Sequence, residues 1–217
     1  MMPAENLKLE TTYQAYLGAL IRGDRHHCRA MVEEMLQEKT DIKDLYVGIF
    51  QRSLYQVGEL WECNKLSVAR EHMATAITES LLPLAYQTIF SAPHCGRKAI
   101  VACAANEYHQ LGGKMVADIL ELNGWDGFFL GANTPITDLL SLVDEKNPDM
   151  LCLSLSIYAG MPELIKLLER VRGQFAELPV IVGGQAFRWG GVDLVTAYSG
   201  VRFIGSIFEL EKLIQEW

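Results

Sequence analysis

The hydrophobic period of this 217-residue chain changes once, near residue 92, and that change fixes its architecture. From Thr11 to about Phe90 the apolar residues recur at helical spacing. Tyr13, Tyr16, Leu17, Leu20 and Ile21 make one stripe; Ile42, Leu45, Tyr46, Ile49, Phe50 and Val57 make another. Asp24 and Asp41 stand where helix N-caps are needed, and a last helical segment runs from about Ser67 to Phe90. Four amphipathic helices with short connections bury such stripes most economically as a bundle. Beyond Pro93 the pattern becomes short apolar runs at 99–104, 127–130, 150–155, 180–182 and 202–204. Helical stretches at 111–122, 136–144, 162–175, 192–198 and 208–215 separate and follow them. Alternation of this kind means parallel strands covered on both faces. The expected fold is α/β: a five-stranded, doubly wound, flavodoxin-like parallel sheet over residues 93–217, preceded by a four-helix bundle over residues 1–92.

Composition narrows the function classes. Lys plus Arg is 19 against 27 for Asp plus Glu, a net charge of −8, and neither half is basic. A chain so charged is not expected to bind nucleic acid directly through a basic face. No apolar run approaches the ~20 residues that span a bilayer, and the N-terminus lacks the basic start and apolar block of a secretory signal. The five cysteines (Cys28, Cys63, Cys95, Cys103, Cys152) are scattered, with no Cys-x-x-Cys pair, which argues against a disulfide framework and a four-cysteine zinc site. A cytoplasmic location is expected. His26-His27-Cys28 reads as a solvated helix face and His94-Cys95 as linker.

In a doubly wound sheet the ligand lies beyond the carboxyl ends of the strands. The loops that count are therefore 105–113, 131–135, 154–160 and 183–187. The first reads Asn106-Glu107-Tyr108-His109-Gln110-Leu111-Gly112-Gly113. It is neither a dinucleotide fingerprint nor a phosphate loop. It places an imidazole at a strand end with a carboxylate two residues before it, followed by glycines where a bulky ligand could approach the backbone. Spacing alone leaves two readings open, a metal-binding imidazole oriented by an acid and a surface histidine near a helix start.

Glu107-x-His109-x-x-Gly112, then Ser154-x-Ser156, then Gly183-Gly184 resembles the Asp-x-His-x-x-Gly, Ser-x-Leu and Gly-Gly signature of cobalamin-binding domains. Methionine synthase and corrinoid-dependent mutases carry that domain. The resemblance implies that cobalamin binds base-off, with His109 as the lower axial cobalt ligand and Glu107 holding the other ring nitrogen. It also implies that Ser154, Ser156, Gly183 and Gly184 line the slot for the displaced nucleotide tail. Two positions depart from the pattern, Glu107 for Asp and Ser156 for Leu. The extra methylene at 107 leaves open whether the carboxylate still reaches His109.

In the first half, Trp61, nine residues, then Glu71-His72 resembles the Trp-x9-Glu-His motif of cobalamin-dependent light-sensing repressors and their relatives. By that resemblance the bundle caps the upper face of the corrin, with Trp61, Glu71 and His72 near the group above cobalt. Read from the residues alone, Trp61 is an ordinary core anchor and Glu71–His72 a satisfied structural pair. The repressors carry a histidine directly after the tryptophan, where this chain has Glu62. They also carry a DNA-binding domain ahead of the bundle; here the first bundle helix starts within about the first dozen residues, so none is expected. The expected function is a cobalamin-responsive sensor or regulatory module acting through a protein partner or self-association. The alternative is a corrinoid carrier serving separate methyltransferases. A complete enzyme alone is not expected, and no catalytic residue is assigned.

Overall fold

The computed structural model describes residues 4–217, with side chains from Leu7 onward. The chain falls into two compact units, one ending at Ile89 and the other beginning at Phe90.

The first unit is helical. It comprises α1 (Ala4–Arg22), α2 (Arg25–Gln37), a π-helical stretch (Asp44–Gln51) running into α3 (Arg52–Glu62), and α4 (Val68–Leu81), which a 3-10 turn (Leu82–Ala85) joins to α5 (Tyr86–Ile89). The stripes pack inward as their spacing requires: Tyr16, Leu20, Leu45, Tyr46, Ile49 and Phe50 are fully buried. The Tyr16 and Phe50 rings meet at 5.7 Å between centroids, and the Tyr16 hydroxyl is paired with Thr78 Oγ1 at 3.1 Å. Asp24 caps α2 by accepting the His27 N–H. His26 and His27 are exposed, as a solvated face demands, but Cys28 is not part of it; its thiol lies in the core. The π-helical turns were not legible in the apolar period, which says which side of a helix faces inward and nothing about a local widening of its hydrogen-bond ladder.

The second unit is a five-stranded, wholly parallel sheet in the order β2-β1-β3-β4-β5. Its strands are β1 (Lys98–Cys103), β2 (Asp126–Phe129), β3 (Met150–Ser154), β4 (Val180–Gly183) and β5 (Val201–Phe203). The connecting helices are α6 (Leu111–Leu122), α7 (Ile136–Lys146), α8 (Met161–Gln174), α9 (Val192–Thr196) and, at the end, α10 (Ile207–Gln215). Right-handed crossovers put α7, α8 and α9 on one face, where Leu139, Leu164, Leu168 and Val195 cover Ile100, Leu151, Leu153 and Val182. On the other face α10 packs against α6, and Trp125 meets Trp217 edge-on. The central strand β3 is buried along its whole length, which is why its sequence is a continuous apolar run and not an alternating one. Residues 93–97 belong to this unit. Cys95 N–H donates to the Gly124 carbonyl, and His94 Nδ1 lies 2.6 Å from Asp126 Oδ1.

Strand order reverses between β1 and β3, which are neighbours although β2 separates them in sequence. That pair is the topological switch point. Their register puts Cys103 beside Ser154, and Ser154 beside Gly183 on β4. Three of the singled-out loops thus leave the sheet side by side at one edge.

Candidate functional site

The loop after β1 opens with a turn closed by the Glu107 N–H donating to the Ala104 carbonyl, with Asn106 at φ +63°. Asparagine tolerates that left-handed conformation better than most residues. The turn directs the Glu107 side chain inward, where only 3% of the residue remains exposed. One oxygen, Oε1, accepts from the His109 ring Nδ1 at 2.6 Å and from the His109 backbone N–H at 2.8 Å. The other, Oε2, accepts the backbone N–H groups of Ser156 at 2.7 Å and Ile157 at 3.0 Å. The longer acid therefore does reach His109, and its extra length lets it bridge to the loop after β3. Burial by itself would raise the Glu107 carboxyl, but the ring and backbone donors outweigh it and hold the group down at about 2.

An ionised carboxylate only accepts, so Nδ1 carries a hydrogen, and in the neutral ring the lone pair is on Nε2. The His109 ring is half-exposed, at 52%. A buried acid that fixes the tautomer and raises the basicity of an accessible imidazole is the arrangement that orients histidine toward a metal. Beneath it, Cys103 Sγ lies 3.9 Å from the His109 carbonyl. Burial pushes that thiol up to about 12, so it stays a neutral donor.

The glycines separate into two kinds. At Gly184 the backbone has φ +115° and a Cβ would strike the Leu155 carbonyl; at Gly183 a Cβ would stand 2.9 Å from the Ile204 carbonyl oxygen. Packing between neighbouring strands demands both, a reason independent of any ligand. Gly112 is different. It is exposed, and the nearest atom to a Cβ there is Ser154 Oγ at 3.9 Å. Among the described residues no other atom outside the local helix lies within 4 Å of that position. Ser154 is nearly buried beneath it, and Ser156 is half-buried beside the Glu107 carboxylate.

The structure thus brings Glu107, His109, Gly112, Ser154, Ser156, Gly183 and Gly184 to a single sheet edge. Trp61, Glu71 and His72 share one end of the bundle, where α3 gives way to α4. Trp61 is 40% exposed and is no core anchor. Glu71 bridges His72 Nδ1 at 2.7 Å and the Thr75 hydroxyl at 2.9 Å, while the His72 side chain is 75% exposed. Cys103 and Asn133 were missed by sequence reasoning. Asn133 accepts the Asn106 N–H on its side chain and donates its own N–H to the Glu107 carbonyl, both at 2.9 Å. An asparagine just before a Thr-Pro pair was the only signal available.

A doubly wound sheet with a carboxylate-anchored, accessible imidazole and an open glycine at its switch point has the layout of a ligand-binding domain. Comparison with known proteins gives the cofactor. The B12 binding domain family matches residues 97–204, and a second family of the same description matches residues 12–84. The chain belongs to the B12-binding proteins. It is 35% identical over 125 residues to the HTH-type transcriptional repressor CarA of Myxococcus xanthus, covering 57% of this chain and 43% of the repressor. It is 28% identical over 180 residues to the repressor CarH of the same organism, covering 82% and 59%. The chain therefore spans about half the length of these curated relatives. Among solved structures, the Methanosarcina barkeri monomethylamine corrinoid protein superposes with a TM-score of 0.82 at 14% identity, covering 95% of this chain and 98% of that one. The methanol:cobalamin methyltransferase complex MtaBC from the same organism gives 0.51 at 16% identity, covering 95% and 79%. At such identities these likenesses establish the fold. Among the described residues no helix is long and apolar enough to cross a membrane.

Proposed function

We propose that this B12-binding module takes cobalamin with the corrinoid's own base displaced and His109 Nε2 as the lower axial donor to cobalt. The buried Glu107–His109 pair carries this reading, because an acid committed to Nδ1 leaves Nε2 as the nitrogen that faces a metal. Imidazole is a suitable donor for a borderline metal such as cobalt. Gly112 keeps the edge open, and Ser154, Ser156 and the Gly183-Gly184 backbone border the same opening, where a displaced nucleotide tail would run. On the bundle, Trp61, Glu71 and His72 would be further cofactor contacts, by the sequence resemblance that singled them out; Trp61 and His72 are exposed. When bound, the corrinoid supplies a metal centre whose upper group can be held, exchanged or lost; the chain orients it and tunes it from below.

The biological reading is a cobalamin-responsive regulatory module that works through a protein partner or self-association. Its support is the exposed Trp61 and the Glu71–His72 pair, together with sequence likeness to two transcriptional repressors. Reconstitution with adenosylcobalamin in darkness, followed by green illumination, should change the size distribution or partner binding; no change in either sinks this role. A second reading, a carrier that presents its corrinoid to a methyltransferase, has its own support in the likeness of fold to the monomethylamine corrinoid protein over 95% of this chain. It requires stoichiometric methyl uptake by the reduced holo-protein from a methyltransferase and is contradicted by inertness toward such enzymes.

The cofactor assignment has a direct test. Titration with hydroxocobalamin should give a coloured protein at one equivalent, and His109→Ala should shift the absorption spectrum of the bound cofactor. An unshifted spectrum in that variant would contradict the axial role.

A further inference from the structure

The hydrogen-bond ladder between β1 and β2 does not stop where the strands stop. Leu130 N–H donates to the Val101 carbonyl at 2.8 Å, and Cys103 N–H to the Gly131 carbonyl at 3.2 Å, already at the strand ends. Two residues further along β2's loop stands Asn133, held at φ +49°. Its side-chain Oδ1 accepts the Asn106 N–H at 2.9 Å, and its backbone N–H donates to the Glu107 carbonyl at 2.9 Å. A side-chain carbonyl has taken the place of a backbone rung, and one asparagine holds the two peptide groups that flank the Asn106–Glu107 link, through the Asn106 N–H on one side and the Glu107 carbonyl on the other. The grip is strong for its size because Asn133 is itself fixed. Gly131 ties the loop's start to β1, and Pro135 at the head of α7 stiffens its end.

The two residues so gripped are those of the turn that aims the Glu107 side chain, whose own N–H closes that turn on the Ala104 carbonyl. From the other side, the Ser156 and Ile157 amides hold the carboxylate. We infer that Asn133 is a positioning residue for the lower metal ligand: by clamping the backbone on either side of the Asn106–Glu107 link it sets where the Glu107 carboxylate stands, and through it the orientation of the His109 ring. This rests on the proposed axial role of His109 for its consequence, but not for its geometry. The hydrogen bonds of Asn133 go to the backbone of Asn106 and Glu107, so it acts on the ring through Glu107.

Two substitutions separate the clamp from simple loop stability. Asn133→Gly keeps the left-handed backbone without strain and the backbone N–H, but deletes the side-chain acceptor. Asn133→Asp restores an acceptor at the same reach. In the full-length apo-protein labelled with nitrogen-15 histidine, the His109 Nδ1–H should give a downfield proton resonance protected by its bond to Glu107, identified by its loss in His109→Ala. Wild type and Asn133→Asp should keep it. Asn133→Gly should raise its exchange with water at least about tenfold while circular dichroism and the unfolding midpoint stay near wild type, and should weaken hydroxocobalamin binding by a factor of about ten. Wild-type exchange in Asn133→Gly, loss of protection in Asn133→Asp, or absence of the protected resonance from wild type would each overturn the inference. If the apo series behaves as stated but wild-type Co(II) protein shows no histidine nitrogen on the metal, the clamp stands and the axial reading fails. The two failures are distinguishable.

Discussion

At the scale of single residues, Glu107 organises the site. It is a buried anion satisfied by one ring nitrogen and three backbone amides, so removing its charge leaves donors facing a group that itself donates. Glu107→Gln should destabilise the apo-protein by about 2–4 kcal/mol in urea unfolding and weaken cobalamin binding about 10- to 100-fold in absorbance titration. The pH dependence has a definite sign. The folded form holds this carboxyl at about 2, below its ordinary 4.5, so the unfolded chain takes up the proton first. The stabilisation it brings, about 3 kcal/mol, is fully present above pH ~4.5 and is lost as the pH falls toward ~2. The gap in urea midpoint between wild-type apo-protein and Glu107→Gln should narrow across that window; a gap unchanged with pH would contradict the assignment. Sequence alone showed that an acid preceded His109 by two residues, but not that they touch. The contact depends on the turn at Asn106 and on amides 49 and 50 residues away, which no local pattern records.

At the scale of elements, the strand-end loops contain glycines with opposite meanings. Gly184→Ala should cost about 1–3 kcal/mol or more, because a positive φ and the Leu155 backbone both exclude a side chain. Gly112→Ala should leave thermal stability of the apo-protein unchanged or raise it by up to about 1 kcal/mol, since alanine suits the first turn of α6 better than glycine does. The same variant should bind cobalamin more weakly. Equal affinity would mean that the opening beside Ser154 is not where the cofactor runs. Both glycines belong to one sequence signature, and the signature does not distinguish them; only the space around each Cα does. Elements themselves were far more legible. The residues of α6 and the apolar runs of β1, β3 and β4 stand where the change of period places them, because burial on both faces writes itself into consecutive residues. The π-helical turns before α3, the burial of Cys28 and the exposure of Trp61 were not, since each depends on which neighbours happen to pack nearby.

At the scale of the whole molecule, the proposed function rests on one sheet edge assembled from distant parts of the chain. Parallel topology sets β1 beside β3, and register then sets Cys103, Ser154 and Gly183 abreast. Cofactor binding to such a preformed edge should stabilise the folded chain by mass action, raising the unfolding midpoint with free cobalamin concentration. His109→Ala should show a smaller rise at equal concentration. The most direct measurement is electron paramagnetic resonance of the Co(II) holo-protein with its histidines labelled by nitrogen-15. A histidine ligand predicts superhyperfine triplets in unlabelled protein that become doublets on labelling and vanish in His109→Ala. Triplets that persist unchanged in the labelled protein would mean that the cofactor's own base still holds cobalt, and would contradict the account.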